Sequence, residues 1–265
     1  MNKFFISFYE RTGSTMLCHM LNKHPDIMCR FELLATPYER ITENKAFSKE
    51  DALYEILKMY HQNKNKTIGF KFKYPNQHNY YTEATRHLYE NHDIKIIFLY
   101  RKNAIKQAIS KINQLALIKS HKEANLKKQI PIPKILFDEQ SKFFFYQYTM
   151  HYMLSTKLMY YFVKKRPNSI IINYEDLCKY KEKNIRDICN FLKIDFKKTM
   201  IENIPTIKIS NNDIHRNIVN PIQFDNFIQE FGLKIFLDKD PIIENWPETF
   251  FHGVFELERI LQHKG

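Results

Sequence analysis

The chain of 265 residues is 44% hydrophobic and 26% charged, proportions that exclude a disordered polypeptide and leave enough apolar material for one large α/β domain. Its formal net charge of +12 selects anionic partners. Because the lysines and arginines are spread along the chain, that charge does not choose among nucleic acid, an acidic membrane surface and a phosphorylated nucleotide.

The first element is a β-prone run, Phe4 to Tyr9, that meets a polar turn with one glycine and passes straight into the helical pattern Met16, Leu17, Met20, Leu21. A strand, a tight loop and a helix are expected, with the unpaired backbone N–H groups of the helix start able to receive an anion near Gly13 to Met16. Arg11 adds a fixed positive charge. The G-x-x-x-x-G-K-[ST] loop of the P-loop NTPases needs an earlier glycine and a lysine that this stretch lacks. The sequence Arg11-Thr12-Gly13-Ser14-Thr15 instead resembles the 5′-phosphosulfate loop of the PAPS-dependent sulfotransferases, R-[ST]-G-[ST]-[ST], at every position. An ordinary tight turn before a helix is the other reading of these five residues.

The first apolar run is too short for a secretory signal and is ended by Glu10 and Arg11. Cys18, Cys29, Cys178 and Cys189 form neither a C-x-x-C pair nor a Cys/His zinc spacing. Free thiols, no metal and a cytoplasmic location are expected.

Pro25 ends the first helix, and the chain returns across the mouth of the strand–loop–helix unit, so that Glu32 approaches the loop. Leu21-Asn22-Lys23-His24-Pro25-Asp26-Ile27 followed by Glu32 resembles L-[NS]-x-H-P-x-[IVL]…E of bacterial sulfotransferases of glycolipid and Nod-factor type. The resemblance implies that Glu32 is the base for the acceptor hydroxyl. His24 is the rival base, ranked second because in the family pattern it closes the helix.

Residues 48 to 62 carry a helical apolar spacing, and Thr67 to Phe72 form a short strand. On that strand Lys71 reads as an ordinary strand lysine, with the family's glycine–aliphatic–lysine pattern offering the alternative that it faces the cofactor.

The run Ile94 to Tyr100 is nearly continuous in apolar residues, which predicts a strand covered on both faces, and a helix follows over Ala104 to Ile112. Arg101 at the strand's carboxyl end, Asn103, and Ser110 on the helix resemble the family's 3′-phosphate motif. Residues 119–135 are basic, contain Pro131 and Pro133, and read as a substrate-side loop or a plain surface insertion. A long amphipathic helix is predicted from Phe137 to Lys165, not a membrane span, because Gln147, His151, Ser155, Thr156 and Lys157 interrupt it. Ser169 to Tyr174 is a further buried strand. The Tyr174-Glu175-Asp176-Leu177 after it resembles the family's Y-E-D-L and reads as a helix start, and a helix is expected over Asn184 to Leu192. His215-Arg216-Asn217-Ile218-Val219-Asn220-Pro221-Ile222-Gln223-Phe224 resembles H-x-x-x-G-N-P-x-R-F of carbohydrate sulfotransferases. Val219 and Gln223 depart from it, and Arg216 is a candidate to supply the missing charge. A closing helix is predicted for Phe250 to Gln262.

Taken with the resemblance, the sequence implies a single domain over 1–265. Its expected fold is a P-loop-NTPase-like three-layer α/β sandwich on a parallel sheet of four to five strands. The implied activity is sulfuryl transfer from PAPS to a carbohydrate or glycolipid hydroxyl, with no nucleic acid and no transmembrane segment. Arg11, Thr12, Gly13, Ser14, Thr15, Met16, Arg101 and Ser110 would hold the nucleotide, Glu32 and Arg11 would serve catalysis, and His24, Lys71, His215 and Arg216 are further candidates. A P-loop-type kinase and a basic nucleic-acid-binding module are the rival readings.

Overall fold

A computed structural model describes residues 2–34, 49–62, 65–74, 82–119, 134–204, 213–233 and 237. Five strands, β1 (Lys3–Phe8), β2 (Ile27–Glu32), β3 (Thr67–Lys73), β4 (Ile94–Tyr100) and β5 (Ser169–Asn173), form one all-parallel sheet in the order β2-β3-β1-β4-β5. The described helices are α1 (Ser14–Asn22), α2 (Lys49–Gln62), α3 (Thr82–Glu90), α4 (Ala104–Lys119), α5 (Glu139–Lys164), α6 (Tyr174–Lys179), α7 (Lys181–Leu192) and α8 (Pro221–Glu230). The chain forms two compact units, one of residues 1–101 and 158–206, the other of 102–157 and 207–265.

In the first unit the inner strands β1, β3 and β4 are buried on both faces, as their largely apolar runs require, while the edge strands β2 and β5 are only partly buried. On one face Phe4, Ile6 and Phe8 of β1 join Ile97, Leu99 and Ile172 and pack against Leu17 and Leu21 of α1, Leu177 of α6 and Ile185 and Ile188 of α7. On the other, Phe5 meets Phe70, Phe72 and Tyr89 edge-on or tilted, and the Tyr60 hydroxyl donates to the Phe4 carbonyl, so α2 and α3 cover that side. Three layers result. The central strand β1 places the turn after Phe8 at the carboxyl edge of the sheet, where open α/β sheets bind ligands.

The second unit is organised by aromatic packing. Phe137 stands 5.1 Å from Phe224, 5.3 Å from Phe227 and 5.6 Å from Phe145. The Asn220 side chain clasps the Phe137 backbone, accepting from its N–H at 2.7 Å and donating to its carbonyl at 3.1 Å. Pro221 then starts α8 at a position where a missing N–H costs nothing. Ile135 and Ile218 form a parallel bridge.

The segment after Pro25, expected only to return the chain across the mouth of the first strand–loop–helix unit, does so as an edge strand, β2. Glu175 and Asp176 open a short helix as expected, capped by Asn173, whose side chain accepts from the Asp176 N–H at 2.8 Å. Of the basic loop at 119–135, only its two ends are described, and the predicted helix over 250–262 lies outside the described residues.

Candidate active site

The loop between β1 and α1 owes its shape to two left-handed residues, Arg11 at φ 63° and Gly13 at φ 82°. A left-handed arginine is costly, roughly 1–3 kcal/mol, and such conformations gather where function needs them. Left-handed residues beside others also turn successive N–H groups toward one point, the geometry of anion-binding nests. The Thr12 hydroxyl donates to the Tyr9 carbonyl at 2.7 Å and pins the turn from within. Helix α1 begins at Ser14 with no side-chain cap, and the N–H of Leu17 returns to the Gly13 carbonyl. The N–H groups of Ser14, Thr15 and Met16 precede that first helical bond and are directed out of the helix start.

Gly13 is fixed by more than its backbone angle. A Cβ built there would come within 2.5 Å of the Tyr174 ring, so only glycine lets the loop pass beneath this tyrosine. The same ring carries the Arg101 guanidinium at 5.0 Å. Arg101 donates to the Arg11 carbonyl at 3.3 Å and faces Glu175 at 3.7 Å. Burial pulls the Arg101 ionisation below its usual range while Glu175 and Tyr174 hold it up. Burial also pushes the Tyr174 hydroxyl up to about 12. Tyr174, assigned from sequence only to a helix start, thus couples the loop to the strand-end arginine.

The second half of the site comes from β2 and β3. Paired residues run Arg30 opposite Phe70 and then Glu32 opposite Lys71, so one extra residue of β2 is accommodated at Phe31. Bulges of this kind re-aim side chains. Here the bulge gives Glu32 the same side of the sheet as Lys71. The Lys71 ammonium donates to Glu32 Oε1 at 3.2 Å and to Thr15 Oγ1 at 3.0 Å. It lies 5.1 Å and 5.7 Å from the ring centres of Phe8 and Phe31. Lys71 is buried, and it ties the loop hydroxyl to the one-third-exposed carboxylate.

His24 is occupied on both ring nitrogens. Nδ1 accepts the Asp26 N–H at 3.0 Å, which places the ring proton on Nε2 facing the Asp195 carbonyl at 2.8 Å. The remaining candidates belong to the second unit. Ser110 is buried on α4. His215 and Arg216 lie in a 3-10 turn, exposed and paired with Asp225 at 2.8 Å and Asp213 at 3.5 Å. Val219, where the family pattern has glycine, is not among the left-handed residues, and its N–H donates to the Ile135 carbonyl at 2.9 Å. The loop therefore forms without that glycine.

The family model described as "Sulfotransferase domain" matches residues 1–227. No curated protein matches the chain. Among solved structures, a sulfotransferase from Alicyclobacillus acidocaldarius is similar over 91% of this chain and 97% of its own, at 18% identity and a TM-score of 0.50. A mouse sulfotransferase complexed with PAP is similar over 88% of this chain and 84% of its own, at 16% identity and a TM-score of 0.52. At these identities the two structures speak for the fold.

Proposed function

Because the chain belongs to the sulfotransferase domain family, we propose that it moves the sulfuryl group of PAPS to a hydroxyl of a carbohydrate or glycolipid acceptor, with Glu32 as general base. The observation that carries this reading is the single chain of contacts from the Thr15 hydroxyl through the Lys71 ammonium to the Glu32 carboxylate. It sets a base beside an anion-receiving loop.

In the transfer, the acceptor oxygen attacks sulfur as the bond to the nucleotide's phosphate oxygen breaks, and the hydroxyl proton passes to Glu32. The products are the sulfate ester and adenosine 3′,5′-bisphosphate. Positioning and charge stabilisation dominate such group transfers. Arg11, Lys71 and the N–H groups of Ser14 to Met16 supply positive potential around the moving group. Arg101, with Ser110 in the role the family motif implies, holds the 3′-phosphate. The acceptor class rests on the resemblance of the segments around His24 and Asn220, the second of which holds His215 and, in Arg216, a candidate for the charge that Gln223 lacks. The match across both compact units supports one sulfotransferase domain, and four free cysteines suit a cytoplasmic setting.

Thermal unfolding with adenosine 3′,5′-bisphosphate and with 5′-AMP tests the assignment. Charge-assisted contacts contribute about 1.5–3 kcal/mol each, so the bisphosphate should bind at least tenfold more tightly and stabilise correspondingly more. Arg101→Ala should erase the difference. Equal stabilisation by the two nucleotides would sink the reading.

A further inference from the structure

Helix α5 carries an apolar stripe on its outer face that the sulfuryl-transfer chemistry does not use. Leu154, Leu158, Tyr161 and Phe162 recur at i, i+4, i+7 and i+8, so they share one side of the helix. All four are exposed, Leu158 to 68% of its surface. A helix on a protein surface ordinarily places polar side chains there, and a contiguous apolar patch marks a place of contact. The helix then ends in cations. Lys164 and Lys165 are exposed, and the Arg166 guanidinium lies 5.8 Å from the Phe162 ring. Lys157 sits within the same segment.

The charge carried by this stretch of chain selects the occupant. From residue 140 to residue 174 the sequence contains no aspartate or glutamate, whereas Lys142, Lys157, Lys164, Lys165 and Arg166 fall in that span. Two copies of the chain meeting through this face would bring like charges together. A surface of anionic headgroups over an apolar interior complements both features. Leucine and phenylalanine enter the acyl boundary, tyrosine sits at headgroup level, and lysine and arginine lay their stems along the apolar layer with the charge outward. No described helix is long and apolar enough to cross a membrane, so this contact lies in the plane of the surface.

We propose that the exposed Leu154–Leu158–Tyr161–Phe162 face of α5, with its terminal Lys164, Lys165 and Arg166, docks the protein on anionic phospholipid membranes. Electrostatic attraction to such a surface is about fivefold in affinity per cation. Burying a leucine side chain adds about tenfold or more.

Cosedimentation of the full chain with sucrose-loaded vesicles tests this. Vesicles of phosphatidylcholine mixed with phosphatidylglycerol should carry the protein down, pure phosphatidylcholine should not, and added salt should weaken the binding. Leu158→Ser should reduce partitioning about tenfold and Lys164→Glu combined with Lys165→Glu at least about 25-fold, with thermal unfolding unchanged because these side chains are exposed. Three outcomes overturn the proposal. Undiminished binding by Leu158→Ser would mean that net charge alone acts, and equal sedimentation with both vesicle types would remove the headgroup requirement. A dimer in light scattering that Leu158→Ser dissolves would assign the face to a second copy of the chain.

Discussion

Glu32, the proposed base, and His24, its rival, differ most in their surroundings. Both side chains can accept a proton, and in sequence they are separated by only eight positions. The imidazole is buried, with each nitrogen engaged by backbone, whereas the carboxylate is open on one side and held by Lys71 on the other. Glu32→Gln preserves size and hydrogen bonding but removes the proton acceptor. Turnover should fall about 10²–10⁴-fold, while calorimetric affinity for adenosine 3′,5′-bisphosphate stays unchanged. His24→Asn should act on stability instead, lowering it by about 1–3 kcal/mol by leaving buried backbone groups unmatched, with little loss of turnover in the surviving folded fraction. Near-normal turnover in Glu32→Gln together with loss in His24→Asn would reverse the two roles.

At the level of elements, the unit that organises the site is β1, its loop and α1, closed over by Tyr174 from the start of α6. Gly13→Ala adds a methyl group at φ 82° and within 2.5 Å of the ring. Destabilisation of about 1–3 kcal/mol is expected, measurable by urea unfolding. Combining it with Tyr174→Leu should recover the part due to the clash and leave the part due to the backbone angle, a coupling that a double-mutant cycle separates. Full additivity of the two changes would show that ring and loop do not press on each other. The loop itself was legible in sequence because a strand, a polar turn and a helical period follow one another without interruption. Strands β1, β3 and β4 were legible because both faces are covered and the runs are largely apolar, and β5 because three isoleucines stand in succession. Edge strand β2 was not, since Ile27-Met28-Cys29-Arg30-Phe31-Glu32 is covered on fewer sides and follows a proline. The role of Lys71 was hidden for a related reason. A lysine on a strand reads as solvent-facing, and only the bulge at Phe31, a property of pairing between two strands, brings Glu32 to it.

For the molecule as a whole, the relevant quantity is the net charge of +12, which sequence gives directly but which does not by itself distinguish one anion from another. Its physical consequence is long-range. A positive field concentrates a polyanionic nucleotide near the protein before any contact forms and raises association rates by roughly 10–10³-fold at low ionic strength. Screening removes most of that advantage, because the Debye length shortens from about 30 Å at 0.01 M salt to about 8 Å at physiological strength. Dissociation, by contrast, is governed by contacts made at close range, such as those proposed for Arg101, which is buried and therefore weakly screened. Stopped-flow binding of adenosine 3′,5′-bisphosphate should accordingly show an association rate that drops steeply with added salt and a dissociation rate that barely moves. Arg101→Ala should give the opposite pattern, changing one charge among many in the distant field while releasing the bound nucleotide faster. An association rate indifferent to salt would mean that the positive charge serves another surface, and a slower association with unchanged dissociation in Arg101→Ala would remove this arginine from the bound complex.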